Sequence, residues 1–489
     1  MSANKKTSYI TTTLPYVNAD PHLGHALEFV EADAFARYLR IIGNDVFFNT
    51  GTDEHGQKVY QKAIEAGEEP KSYADRYADR FRQLLLSLNV SEHNFIRTTD
   101  DSHEKAAREF WKRCEKNGDI YLDTHKGLYC VSDEMFLTAK DIDKNGKCKN
   151  HQNQEPLEVE EENYFFRFSK YQDALLSLYE KNDFVVPKER LNEIKSFVSR
   201  GLLDFSVSRL KDKMPWGVSV PGDEKHVMYV WFDALVNYIS AIGWPHDMEK
   251  FEKWWPVVQF AGKDNLGHQA ARWQAMLMSA GISPSRQIVI HGFITSGGEK
   301  MSKSVGNTFD PFDIINRYGA DALRYYLLRE ISPFEDGDFT EKKFIEAYNA
   351  NLANGLGNLI SRVMKMATVY DVSVKTPNNE QLIETDFQNI ESSIARAMKV
   401  YRFNEAMDVI WAEIKNLDLF IQKQEPFKKI KTAPDEAKKD VEMLLKGLWN
   451  VGVFLLPFMP KTAQAIFTAI RRNIMPSVLF QRIVQNIQI

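Results

Sequence analysis

Cysteine is scarce in this chain: three in 489 residues, Cys114, Cys130 and Cys148. So few exclude a disulfide scaffold and suggest a reducing compartment. Long apolar runs are missing as well. The greasiest stretch, residues 451–459, is closed early by Pro457 and Pro460, so it reads as a buried helix end and not as a membrane span. Residues 1–16 carry two lysines but no apolar core of the kind a secretory leader needs. A cytoplasmic protein with no membrane partner is the expectation. There is no internal repeat and no low-complexity tract.

Apolar residues make up 44% and charged residues 26%, the balance of a soluble globular protein, and this length predicts two to four domains. The net charge of −5 is uneven. Residues 341–489 hold 20 Lys and Arg against 16 Asp and Glu, a net +4, which leaves −9 on residues 1–340. A mildly basic C-terminal part on an acidic body is compatible with a polyanionic partner, and equally with ordinary surface variation.

Residues 8–14 are rich in β-branched types and predict a strand. Pro15, Asn18, Asp20 and Pro21 break it, and from Leu23 the apolar spacing turns helical through Leu27, Val30, Ala34 and Tyr38. Gly43-Asn44 closes that helix and Asp45–Asn49 reads as a second strand. Strand, helix, strand within about fifty residues opens a parallel α/β sheet, and Val257–Ala261 and Gln287–Ile290 look like further buried strands. Between these, the short strands, turns and acidic run Glu158–Glu162 predict an insertion folded on its own, with the acidic run on a solvated face. After about residue 341 the pattern is almost wholly helical, near 341–370, 387–424, 436–456 and 461–474, with Lys375–Glu380 as a loop.

Two motifs stand out. His22-Leu23-Gly24-His25 lies where the first helix begins, and a strand–loop–helix N-terminus is a natural anion site. Imidazole N–H groups there can donate to phosphate, more strongly if protonated. Gly24 leaves room for a flat base against the backbone. About 280 residues later stands Lys300-Met301-Ser302-Lys303-Ser304, with Gly297, Gly298 and Gly306 around it. Two ammonium groups on a mobile loop can follow charge building on a departing pyrophosphate. Alone, each motif is also what a helix cap or a basic surface loop looks like; their pairing describes a split ATP site.

The pair resembles the HIGH and KMSKS signatures of class I aminoacyl-tRNA synthetases. The surrounding words are similar to the methionyl-tRNA synthetase family in particular: Thr13-Leu14-Pro15-Tyr16-Val17-Asn18, Gly51-Thr52-Asp53-Glu54-His55-Gly56, Tyr229-Val230-Trp231-Phe232-Asp233-Ala234, His291-Gly292-Phe293, Asp321-Ala322-Leu323-Arg324-Tyr325-Tyr326 and Asp336-Gly337-Asp338-Phe339. The resemblance spans essentially the whole chain. It implies an α/β fold: a Rossmann-like parallel-sheet catalytic domain in two halves (1–115 and 226–290), a connective insertion with a knuckle (116–225), a KMSKS-loop and stem-contact region (291–345) and an α-helical bundle anticodon-binding domain (346–489). It implies methionine–tRNA ligase activity, in which methionine and ATP give methionyl-adenylate and pyrophosphate and the methionyl group then passes to tRNA(Met). Mg2+ would accompany the triphosphate. His22, His25, Lys300 and Lys303 would be catalytic, and Gly24, Met301, Ser302 and Ser304 would join them around ATP.

By the same resemblance Leu14, Tyr16, Asp53, Trp231, Ala234 and Tyr238 line the methionine pocket. An anionic Asp53 suits the substrate ammonium and aromatic rings suit a thioether. Trp231 and Tyr238, seven apart, can share one helix face, as core residues also do. One departure falls in Gly262-Lys263-Asp264-Asn265-Leu266-Gly267-His268-Gln269. Many members carry an apolar residue directly after the aspartate and a histidine four further on; here these are Asn265 and Gln269, with His268 one position early, for which a free surface residue is the alternative reading. Gln269 can still donate and accept.

Cys130-x2-Asp133, fourteen intervening residues, then Cys148-x2-His151 has the rhythm of a zinc knuckle. The family often carries cysteine where Asp133 stands, so Asp133 is read either as an oxygen ligand or as a turn residue, and Zn2+ stays open. The insertion looks too short for a separate editing domain. Asn358 and Arg362, four apart, share a helix face, and the family's matching pair reads anticodon bases. Trp411 and Trp449 read as core. The chain ends soon after the bundle, and a monomer is expected. Other readings are a class I synthetase for another amino acid, an inactive tRNA-binding protein on this fold, or a nucleotidylyltransferase sharing the histidine motif.

Overall fold

The computed structural model describes residues 5–130, 135–137, 142–149, 155–300, 309–376 and 393–484. At its centre six parallel strands are ordered β3-β2-β1-β5-β6-β4: β1 (Thr7–Thr11), β2 (Asp45–Thr52), β3 (Asn94–Arg97), β4 (Val185–Val186), β5 (Val257–Gly262) and β6 (Gln287–His291). Every residue of β5 is buried, as expected of a strand covered on both faces. Its side chains alternate between two cores. Val258 and Phe260 pack with helix α1 (Leu23–Ile41) and the C-terminal bundle; Val257 and Ala261 pack with the helices Asp101–Lys116 and Trp273–Ser279.

Helix α1 is buried nearly all round, including Glu28, Glu31 and Asp33. Buried carboxyls need partners: Glu28 is held by Thr13 and His291, and Asp33 by Arg37, Ser91 and Arg324. Sequence order reverses between β1 and β5. In sheets of this kind the crevice beyond the carboxyl ends of the strands at such a reversal is where ligands bind, and α1 starts there.

The insertion is less independent than its sequence suggests. Its four-stranded antiparallel sheet, built on Ile120–Cys130 and Leu157–Phe166, stands apart from the central sheet, but Val185–Val186 pairs with Ile288 and Val289 as an edge strand of that sheet. Within the acidic run, Glu161 turns inward and pairs with Lys213, because in a strand alternate residues face opposite sides. The last third is helical, with Asn358–Val369, Phe403–Gln424, Pro434–Leu455 and Pro460–Arg472 packed on one another and on α1. Trp411 and Trp449 are buried, against Tyr325 and Phe467. Among the described residues no helix is long and apolar enough to cross a membrane.

Candidate active site

His22 is the N-cap of α1, and the two histidines cap each other. The Gly24 amide donates to His22 Nδ1 (3.1 Å) and the His22 amide donates to His25 Nδ1 (3.2 Å). The rings stack at 3.7 Å and 18°, and His25 also meets the edge of Phe81 at 5.1 Å. A Cβ on residue 24 would lie 2.9 Å from His22 Cε1, so glycine is what lets the rings close. Each Nδ1 accepts a backbone N–H, which fixes the tautomer and leaves each Nε2–H as a donor. Burial, then the neighbouring His22, holds His25 well below the ordinary imidazole range. At neutral pH His25 is therefore a neutral donor. A proton on Nδ1 would displace the cap.

The residues assigned to the methionine pocket gather at the carboxyl ends of β1, β2 and β5. Tyr16 and Asp53 form a parallel bridge that extends the β1–β2 pairing. Asp53 and Ala234 are buried; Leu14, Tyr16, Trp231 and Asn265 are partly so. Trp231 and Tyr238 do not share one helix: Val230–Leu235 and Asn237–Ser240 are two short helices. Tyr238 is buried, and its hydroxyl accepts from Gln269 Nε2 at 2.8 Å. Gln269 Oε1 accepts from Gln259 Nε2 at 3.0 Å, and Gln259 Oε1 from Ser285 Oγ at 2.7 Å. Gln269 thus stands in a chain of groups that carry no charge near neutral pH. Asn265 donates to Asp264 at 3.2 Å. His268 is not the free surface residue of the alternative reading: it lies flat on Trp231 (4.0 Å, 11°) and accepts from Arg272 at 3.4 Å. Burial and that guanidinium push its pKa well down, and a neutral ring stacks without having to shed a charge's hydration.

Three buried groups were not singled out from sequence. Asp233 accepts at once from His55 Nδ1 (2.6 Å) and His103 Nε2 (2.9 Å). Burial pushes its carboxyl up, but the two histidines outweigh that and hold it far below the usual range. The clasp fixes the helix bearing Trp231 and Ala234 to the loop after β2. His55 and Asp233 both lie inside quoted motif words, but nothing in a word says that its members touch.

Lys300 ends a two-stranded hairpin, Ile294–Ser296 with Glu299–Lys300, in which Gly297 (φ 64°) and Gly298 (φ 83°) form the turn. These glycines therefore shape a tight turn ahead of the lysines; looseness is not their evident purpose. Met301, Ser302, Lys303 and Ser304 lie outside the described residues, and Lys300 is described by its backbone alone. The flanks of 301–308 are each anchored to another part of the chain. Before it, Phe293 N donates to Asp336 (2.9 Å), whose carboxylate also takes Lys263 Nζ. After it, Phe312 lies under Arg80, on the same helix as Phe81.

Asn358 is exposed at the start of its helix, whereas Arg362 is partly buried and ion-paired with Asp418 of Phe403–Gln424. Cys130 and Cys148 are buried and in no disulfide, and Asp133 and His151 lie outside the described residues. Among the described residues no cluster of three metal-type ligands occurs.

A family model described as tRNA synthetases class I (M) matches residues 8–156 and 143–364. The methionine–tRNA ligase of Thermotoga maritima is 40% identical over 484 residues, 96% of this chain and 76% of that one. The ligase of Brucella suis is 41% identical over 473 residues, 95% of this chain and 91% of that one. Methionyl-tRNA synthetase of Mycobacterium tuberculosis, solved in complex with methionyl-adenylate, superposes with a TM-score of 0.87 at 38% identity, covering 94% of this chain and 93% of its own.

Proposed function

The chain belongs to the methionine–tRNA ligase family of class I tRNA synthetases, and from that premise we propose how its own residues carry the reaction. The activity is a two-step ligation: methionine and ATP give methionyl-adenylate and pyrophosphate, and the methionyl group then passes to the 3′ end of tRNA. In the first step a methionine carboxylate oxygen bonds to the α-phosphorus as the bond to the pyrophosphate oxygen breaks. The carboxylate is already ionised near neutral pH, so no general base is needed. Catalysis is left to positioning and charge.

The observation that carries this reading is the reciprocal histidine cap at the sheet's reversal point, which leaves an Nε2–H donor on each ring at a helix start. His22 and His25 hold ATP phosphate oxygens there, with the Gly24 backbone against the adenine. Lys300 and Lys303, with Met301, Ser302 and Ser304 on the same loop, follow charge onto the departing pyrophosphate, and Mg2+ travels with the triphosphate. Leu14, Tyr16, Trp231, Ala234 and Tyr238 enclose the methionine side chain, Asp53 takes its ammonium, and Asn265 and Gln269 complete the wall. Gln269 presents Tyr238 with a donor, which turns the phenol O–H outward toward the substrate sulfur. Asn358 and Arg362 meet the anticodon of tRNA(Met) from the 346–489 domain; Arg362 must share or release Asp418 to do so. Purified protein is expected to catalyse methionine-dependent ATP–pyrophosphate exchange. Exchange driven by another amino acid and not by methionine overturns the assignment.

A structural Zn2+ fits the donor set Cys130, Asp133, Cys148 and His151. In support, both thiols are buried, and Cys148 closes a tight turn in which Asp143 accepts from the amides of Asn145 (2.8 Å) and Lys147 (2.9 Å). Bound there, the ion would fix the insertion and take no part in the ligation. Elemental analysis of chelator-free protein should find close to one zinc per chain; a content well below one rules the site out.

A further inference from the structure

We propose that the buried pair Glu28–His291 is a positioning joint, through which the histidine helix, the first loop of the methionine pocket and the root of the KMSKS hairpin are held in one register. This rests on the synthetase reading above and adds residues to which neither motif assigns a task.

Glu28 lies three residues after His25 on α1, hence on the same side of the helix. Its Oε1 accepts from both the amide and the hydroxyl of Thr13 (2.6 Å each), the residue before Leu14. Its Oε2 meets His291 Nε2 at 3.0 Å. His291 is the last residue of β6, three positions before the hairpin strand Ile294–Ser296. Its Nδ1 donates to Gly292 O at 2.8 Å. One ring nitrogen faces a carbonyl and the other a carboxylate, both acceptors, so the geometry calls for a proton on each: the ring is an imidazolium.

The surroundings agree. The charged and titratable groups around the pair are Glu28 and Glu31 from α1, Tyr238, whose hydroxyl feels Glu28, and Asp264, packed with His291 against Gly262. Burial lowers His291, but the bond to Glu28 and the charges of Glu31 and Glu28 outweigh it and lift it to about 9. Burial chiefly raises Glu31, to about 8, which leaves it neutral at pH 7. The Glu28 carboxyl and the His291 ring face each other largely away from water. Removing either strands the other, so the contact resists being broken. A hinge at this point would let three substrate-facing segments drift separately, and a displacement of about 1 Å at reacting groups can cost about 10²-fold in rate.

The test measures exchange kinetics of the full chain between about pH 6 and pH 10, a span that covers the ordinary and raised ranges of His291 and the raised range of Glu31. Wild-type kcat should fall as pH rises through about 9, where His291 loses its charge. His291→Gln should lower kcat by about 10²-fold, change the KM for methionine far less, and remove that alkaline fall. Glu31→Gln should move the fall to lower pH, because the Glu31 charge supports the imidazolium. A His291→Gln variant that folds yet keeps the same alkaline fall overturns the proposal. So does a Glu31→Gln profile identical to wild type, and this arm decides the matter if His291→Gln fails to fold. Absence of methionine-dependent exchange in the wild type would defeat the synthetase reading instead.

Discussion

His25→Ala is expected to lower methionine-dependent ATP–pyrophosphate exchange by about 10³-fold, the upper range for losing one preorganised donor at a reacting oxyanion. The upper range applies because His25 does two things. Its Nε2–H is available to phosphate, and its Nδ1 accepts the His22 amide, so alanine removes a donor and also unseats the stacked His22. The second loss is a capping loss, worth about 1 kcal/mol. His25→Asn separates the two, since asparagine can accept from the His22 amide but cannot reach as far as Nε2. Its thermal stability should approach wild type while exchange stays depressed. Exchange recovering in step with stability would mean that the cap, and not the donor, is what matters. Acidification should not raise the wild-type rate on account of His25, because its charged form is disfavoured by burial and by His22.

The sequence made some of this visible and hid the rest for identifiable reasons. β1, α1 and β2 were legible because turn residues and a change of period mark their ends: Thr7–Thr11, Leu23–Ile41 and Asp45–Thr52 fall close to the predicted spans. The helical last third was legible through periodicity. β4 was not, because two residues carry no period. The break at Val236 was hidden because Trp231 and Tyr238 satisfy helical spacing whether or not one helix joins them. Nothing local marks Glu28, Glu31 and Asp33 as buried. They are buried because β6 and residues near 324 and 457, far along the chain, close over α1. Arg362 read as a fork open to RNA, because only folding brings Asp418 opposite it. Single-residue chemistry is local and shows in sequence; pairings of charge across hundreds of residues do not.

Arg324→Met should cost about 3–5 kcal/mol of unfolding free energy, the range for breaking a buried ion pair from one side. Arg324 is fully buried. Its Nη1 pairs with Asp33 of α1 at 2.7 Å, while Nε and Nη2 donate to the carbonyls of Phe458 (2.7 Å) and Pro457 (3.0 Å) at the bundle's last turn. Methionine matches the stem but leaves Asp33 underpaired and the carbonyls of Phe458, Pro457 and Leu88 without this donor. Burial pushes the Asp33 carboxyl up, yet Arg324, Arg37 and Ser91 outweigh it and hold the pKa below its ordinary value. This contribution to stability is therefore present above the unfolded-state pKa and is lost as pH falls through the depressed folded value, so the variant should show less of that acid dependence. Denaturant titration reads the loss, and pairing the change with Asp33→Leu should return part of it, since both charges then leave the core together. A single variant within about 1 kcal/mol of wild type would show the joint to be incidental. The helix whose first turn holds His22 and His25 is the same helix that Arg324 grips at Asp33. Loosening that grip frees the bundle from the central sheet, so on the proposed contact of the bundle with tRNA, transfer should fall further than exchange.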